Sequence, residues 1–229
     1  MLSINENIRI IRENIAQAAE RFGKSADSVT LIGVTKTIDT DRIQEMINCG
    51  VTDIGENRVQ EIIQKYHVIE NQANLHMIGH LQRNKVRQII DKVNLIHSVD
   101  NLPLAVEINK FSEKLLKTTD ILIELNIAGE ATKEGIEPEK LTELIKNISV
   151  LKNIKIKGIM TIAPFTENPE DIRKYFKKMY ELFIDIREKS IDNVSVDVLS
   201  MGMTNDYTVA IEEGSTMVRI GTGIFGYRS

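Results

Sequence analysis

Apolar residues recur at Ile4, Ile8, Ile11, Ile15, Ala18, Ala19 and Phe22, the three- and four-residue spacing of one helical face, and Gly23 follows as a C-cap. This predicts a helix over 4–22. The pattern then changes. Val29-Thr30-Leu31-Ile32-Gly33-Val34-Thr35-Lys36 is apolar and β-branched on both parities, which predicts a strand buried on both faces, with a lysine at its C-terminal edge. Asp39 or Thr40 then caps a helix through Ile43, Met46 and Ile47 that stops near Gly50. Further strands are predicted over 52–55, 75–79, 95–98, 121–126, 156–162, 194–199 and 217–220. Helices are predicted between them over 59–68, 85–92, 102–116, 141–151 and 207–213, and through Ile172, Tyr175, Phe176, Met179, Leu182 and Phe183.

Eight strands, each but the last followed by a helical segment, predict an α/β fold with a parallel sheet closed into a (β/α)8 TIM barrel. An open doubly wound sheet is the other arrangement of this class. The first strand-to-helix turn, Thr35-Lys36-Thr37-Ile38-Asp39, lacks the G-x-G-x-x-G that such a sheet uses for a dinucleotide. About nine residues follow the eighth strand, too few for a full eighth helix, so the N-terminal helix is expected to cover that part of the barrel. With no linker-like composition shift, residues 1–229 are read as a single domain.

Composition narrows the partners. The net charge of -4 and pI of about 5.7 leave no basic footprint for nucleic acid, and no apolar run is long enough to span a membrane. Cys49 has no second cysteine to pair with and no signal-peptide pattern opens the chain, so a cytoplasmic location is expected.

Chemistry is expected at the strand C-termini. The last two strands run into Ser200-Met201-Gly202-Met203-Thr204 and Gly221-Thr222-Gly223, which offer bare amides and hydroxyls where barrels commonly bind phosphate. Plain tight turns are the alternative. Arg219 lies within a buried strand, where a charge needs a partner or a ligand, unless the residue points outward to a surface carboxylate. Lys36 either reaches solvent or offers its amine for carbonyl chemistry. A lysine, a phosphate cradle and an arginine together suit pyridoxal 5'-phosphate. His67, His76 and His97 show no metal-ligand spacing, and no metal is expected.

The motifs Leu31-Ile32-Gly33-Val34-Thr35-Lys36-Thr37, Ile54-Gly55-Glu56-Asn57-Arg58-Val59-Gln60-Glu61, His76-Met77-Ile78-Gly79-His80-Leu81-Gln82-Arg83-Asn84-Lys85, Gly158-Ile159-Met160-Thr161-Ile162-Ala163-Pro164, and the stretch from Leu199-Ser200-Met201-Gly202-Met203-Thr204-Asn205-Asp206 to Arg219-Ile220-Gly221-Thr222 cover nearly the whole chain in order. Together they resemble the pyridoxal phosphate homeostasis proteins, the YggS-like family. That resemblance implies a barrel similar to the N-terminal domain of alanine racemase. It also implies pyridoxal phosphate held as a Schiff base on Lys36, with Arg219 beside the pyridine nitrogen. Ser200, Gly221 and Thr222 would cradle the phosphate, and Asn57, His80 and Met201 would line the ring pocket. Arg58 stands where the family usually has an aromatic, Leu75 where tryptophan is frequent, and Asp39 where proline is common.

The function implied is intracellular buffering and delivery of pyridoxal phosphate without evident catalysis, with pyridoxal-phosphate-dependent apoenzymes as recipients and a monomer or weak dimer as the working form. An amino-acid racemase is the alternative. It needs a second acid/base group opposite Lys36, for which Tyr207 and Tyr227 are internal candidates, and the extra C-terminal domain of alanine racemases is not expected after Ser229. A barrel that binds another phosphorylated metabolite, with Lys36 as a counter-ion, is a third possibility.

Overall fold

The computed structural model describes residues 2–130 and 132–226. Helix α1 (Ile4–Arg21) opens with a capping box: Ser3 Oγ accepts the Glu6 N–H, and the Glu6 carboxylate accepts the Ser3 N–H. Then come β1 (Thr30–Val34), α2 (Thr40–Asn48), β2 (Asp53–Glu56), α3 (Val59–Ile69), β3 (Asn74–Met77), β4 (Leu95–Val99), α4 (Leu102–Lys114) and β5 (Thr119–Leu125). The remainder is α5 (Leu141–Ser149), β6 (Ile154–Thr161), α6 (Arg173–Glu188), β7 (Val194–Ser200), α7 (Tyr207–Glu212), β8 (Met217–Ile220) and the short α8 (Thr222–Phe225). All neighbouring strands pair in parallel, and β1 pairs with both β2 and β8, so the sheet closes into the expected eight-stranded barrel. No helix among the described residues is long and apolar enough to cross a membrane.

The helix expected over 85–92 is replaced by a 3₁₀ segment, Arg83–Gln88, followed by single turns. Val86, Ile89, Ile90 and Val93 are all buried. All four are β-branched, which weakens a continuous α-helix, and short i→i+3 turns bury the same side chains.

Helix α1 covers the end of the barrel left open by the four-residue α8. Asn7 Nδ2 donates to the Ile224 carbonyl at 2.9 Å, Asn14 Nδ2 donates to the Tyr207 hydroxyl at 2.9 Å, and Arg21 pairs with Glu212 at 2.6 Å. The main core lies between sheet and helices. A second, small cluster of Ile32, Leu95, Leu122, Met160 and Met217 fills part of the barrel interior.

Candidate functional site

Strand β1 ends at Val34, and Thr35-Lys36-Thr37 turns across the barrel mouth. The turn is pinned from behind. Thr35 Oγ1 donates to Glu56 Oε1 at 2.6 Å, Lys65 Nζ donates to the Thr35 carbonyl at 2.7 Å, and the Thr37 N–H donates to Glu61 Oε2 at 2.6 Å. Lys65 and Glu61 sit one helical turn apart on α3, so one face delivers both, and Lys65 also pairs with Glu56 at 2.8 Å and Glu61 at 2.7 Å. Burial lifts the Glu56 carboxyl above its ordinary value, with Lys65 and Thr35 pulling the other way. Burial pushes Glu61 upward too, but the bonds from Lys65 and the Thr37 amide bring it below. Thr37 has φ of 60°, a left-handed conformation that costs about 1 kcal/mol or more in a non-glycine residue. Its amide bond to Glu61 helps to hold it. The result is a fixed platform from which the Lys36 side chain reaches the cleft.

Arg219 points into the barrel because its register partner on β1 is Ile32, a member of the inner cluster. The residue is 3% exposed. Its Nη1 donates to Ser200 Oγ and its Nη2 to the Thr161 carbonyl at 2.8 Å. Burial lowers the guanidinium to about 10, against the opposing pull of Glu124 and Asp206, so it stays charged near neutral pH. Glu124 on β5 is pushed up to about 7, by burial first and then by Asp100, while Arg219 acts in the opposite sense.

Lys36, Asn57, Arg219, Gly221 and Thr222 line one cleft of about 600 Å³, a size suited to a small cofactor. Gly79 lies directly against the Asn57 backbone, where any side chain would meet the Asn57 carbonyl at 2.4 Å. The Asn57 Oδ1 is buried with no hydrogen-bond partner among the described residues, as a group awaiting a ligand donor would be. The loops after β7 and β8 are tied together by the Gly223 N–H, which donates to Thr204 Oγ1 at 3.2 Å. Asp206 Oδ1 accepts the Met203 N–H at 2.5 Å and shapes the first of these loops. The N–H groups of Thr204 and Thr222 have no acceptor among the described residues. These donors, a guanidinium and a primary amine fit a ligand carrying a phosphate, a ring nitrogen and a carbonyl.

Other candidates from the sequence lie elsewhere. Ser200 sits beneath the cleft, its hydroxyl engaged with Arg219 and, at 3.2 Å, with His97 Nδ1. Met201 is fully buried in the main core. His80 is outside the lining, with Nδ1 at 3.5 Å from Glu134 Oε2. Tyr207 is buried against α1 and accepts from Asn14, away from the cleft; Tyr227 falls outside the described residues. Sequence reasoning passed over Glu130, Lys133, Phe165 and Asp206, which also line the cleft. Asp206 closes a quoted motif, so its position was available as a signal; the others lie on loops where no periodicity points to the mouth.

A family model described as the alanine racemase N-terminal domain matches residues 7–229. A pyridoxal phosphate homeostasis protein from Aquifex aeolicus is 46% identical over 224 residues, 97% of each chain. A crystal structure of an unknown protein from Bifidobacterium adolescentis superposes with a TM-score of 0.92 at 34% identity, covering 97% of this chain and 94% of that one. PipY from Synechococcus elongatus, in a structure with PLP bound, gives a TM-score of 0.81 at 30% identity, covering 92% of this chain and 100% of that one.

Proposed function

Because the chain belongs to the pyridoxal phosphate homeostasis protein family, within the alanine racemase N-terminal domain class, we propose that it binds pyridoxal 5'-phosphate at the barrel mouth as a Schiff base on Lys36. The convergence of Lys36, Asn57, Arg219, Gly221 and Thr222 on one cleft carries this reading. The cofactor supplies a reactive aldehyde, and the protein holds it reversibly for release to apoenzymes in the cytoplasm. Residues 1–229 serve as one binding domain, working as a monomer or weak dimer.

Each residue has a defined task. Lys36 would hold the aldehyde through its amine, by condensation with release of water, on a turn that Lys65, Glu56 and Glu61 hold still. Arg219 presents N–H groups to the pyridine nitrogen. Because a guanidinium donates and does not accept, it leaves that nitrogen unprotonated and the ring a weak electron sink. The Thr222 amide and the Gly221 backbone would receive the phosphate, while Asn57 Oδ1 would orient the ring. Ser200 acts on the site through Arg219. Met201 acts through packing. His80 stands at the rim beside Glu134. The commitment of Tyr207 to Asn14 supports holding over racemisation, since it keeps this tyrosine from serving as a second acid.

Borohydride reduction of the protein incubated with pyridoxal phosphate should trap the cofactor on Lys36, read by peptide mass spectrometry, and Lys36→Ala should abolish both the adduct and the visible absorbance. A wild-type protein that yields no adduct at Lys36 overturns the proposal. Conversion of L-alanine or other L-amino acids to D-isomers over many turnovers would replace holding with catalysis.

A further inference from the structure

Two histidines lie end to end inside the barrel. His76 on β3 points inward with its register partner Leu95, a member of the inner cluster, and His97 follows Leu95 by two positions on β4. Starting at the cleft, Arg219 Nη1 donates to Ser200 Oγ, which lies 3.2 Å from His97 Nδ1. His97 Nε2 lies 3.1 Å from His76 Nδ1, and His76 Nε2 lies 3.0 Å from Asp53 Oδ1. Asp53 is the first residue of β2, at the end of the strand opposite the mouth, and is partly exposed. An unbroken hydrogen-bonded path therefore joins the base of the barrel to the cleft.

Chemistry sets its direction. A guanidinium cannot accept, so Ser200 Oγ accepts from Arg219, which leaves its own proton available for His97 Nδ1. The His97 proton then sits on Nε2 and is donated to His76 Nδ1, leaving the His76 Nε2–H for the Asp53 carboxylate. Both rings are neutral in this arrangement. The reverse order puts the His97 proton on Nδ1 and turns a bare His76 Nε2 toward the carboxylate, unless His76 carries a second proton. An imidazolium there would share the low-dielectric interior with the buried Arg219 cation. Burial first, with the Arg219 cation adding to it, holds His97 well below its ordinary range. Asp53, pushed up by burial, is brought below its ordinary value by its bond from His76.

Resting on the cofactor reading above, we infer that Asp53, His76 and His97 are positioning residues that fix Ser200 as an acceptor and so hold the Arg219 guanidinium in place for the pyridine nitrogen. The two acceptors of Arg219 among the described residues are neutral oxygens, Ser200 Oγ and the Thr161 carbonyl. A chain of aligned bonds ending on a carboxylate polarises each link and makes Ser200 Oγ a stronger acceptor for the cation. The remote carboxylate thereby acts on Arg219 without touching it.

The test begins on cofactor-free protein. Long-range proton–nitrogen NMR spectra of the ¹⁵N-histidine-labelled chain, its four histidines assigned with His67→Gln and His80→Gln, report which ring nitrogen carries the proton. The His97 proton is expected on Nε2 and the His76 Nε2 proton on the side of Asp53, and Ser200→Ala should shift the His97 Nδ1 resonance. A proton on His97 Nδ1, or a cationic ring at either position, overturns the inference. The second arm uses Asp53→Asn, close to isosteric and remote from the cleft. Its affinity for pyridoxal phosphate should fall about three- to tenfold, with the adduct still trapped on Lys36. A variant that melts lower but binds the cofactor as wild type does shows a merely structural role and also overturns it. Failure of the wild type to take up pyridoxal phosphate would instead overturn the cofactor reading, and the cofactor-free spectra separate that result from a failure of the hydrogen-bonded path.

Discussion

On the outer face of the barrel sheet, Ile54, Ile96, Ile121 and Ile159 pack against the helices in one continuous apolar layer. On the inner face, His76, His97, Ser200 and Arg219 share the space with Ile32, Leu95, Leu122, Met160 and Met217. The same eight strands thus serve two solvents. Outside, each fully buried isoleucine or leucine contributes about 1.5–3 kcal/mol through area alone, and shape tolerances are those of any hydrophobic core. Inside, each polar group requires a partner of one sense, donor to acceptor, so a single change propagates along the chain of bonds. The outer layer makes the barrel, and the inner layer aims it. Lys65 is where the distinction fails: it sits on α3, on the outer side, yet its ammonium is buried among Glu56, Glu61 and the Thr35 carbonyl.

Replacing that exception should have the largest effect. Lys65→Met leaves two carboxylates without their cation, and is expected to cost about 3–5 kcal/mol in chemical denaturation and to lower trapping of cofactor on Lys36. Unchanged stability and trapping would mean that the turn is held by its other bonds. Next comes Glu124, whose folded-state value of about 7 lies above the ordinary 4.5. A carboxyl raised in the folded state contributes stability that is full below about pH 4.5 and lost as pH rises through about 7. Glu124→Gln should therefore be more stable than wild type by about 2–3 kcal/mol near pH 8, with little difference near pH 4. An equal difference at both pH values would remove the titration argument. The smallest effect is expected in the outer layer: Ile62→Val should cost about 1 kcal/mol and leave pyridoxal phosphate affinity unchanged, and a change in affinity would break the division between the two faces.

The outer layer was legible in the sequence because it is periodic. Strands buried on both faces and helices with one apolar stripe announce themselves, which is why all eight strands could be placed and Met217–Ile220 matched its bounds. Lys36 and Arg219 were legible because a charge in or beside an apolar strand is conspicuous. His76 and His97 were not, since a histidine in a buried strand carries no label of its partner; only the register between β3 and β4 brings the rings together. The positions of Met201 and His80 were hidden for a different reason. Each follows a strand end, where the alternation that tells inside from outside has stopped, and the direction of the side chain depends on loops contributed by other strands.

The closure of the barrel by α1 has a consequence for how the chain is made. Asn7 and Asn14 find their partners 217 and 193 residues later, at Ile224 and Tyr207. At synthesis rates of roughly 5–20 residues per second, the first helix waits about 10–40 s for the surface it covers. Until then the buried stripe from Ile4 to Ala19 lacks the cover that α7 and α8 supply.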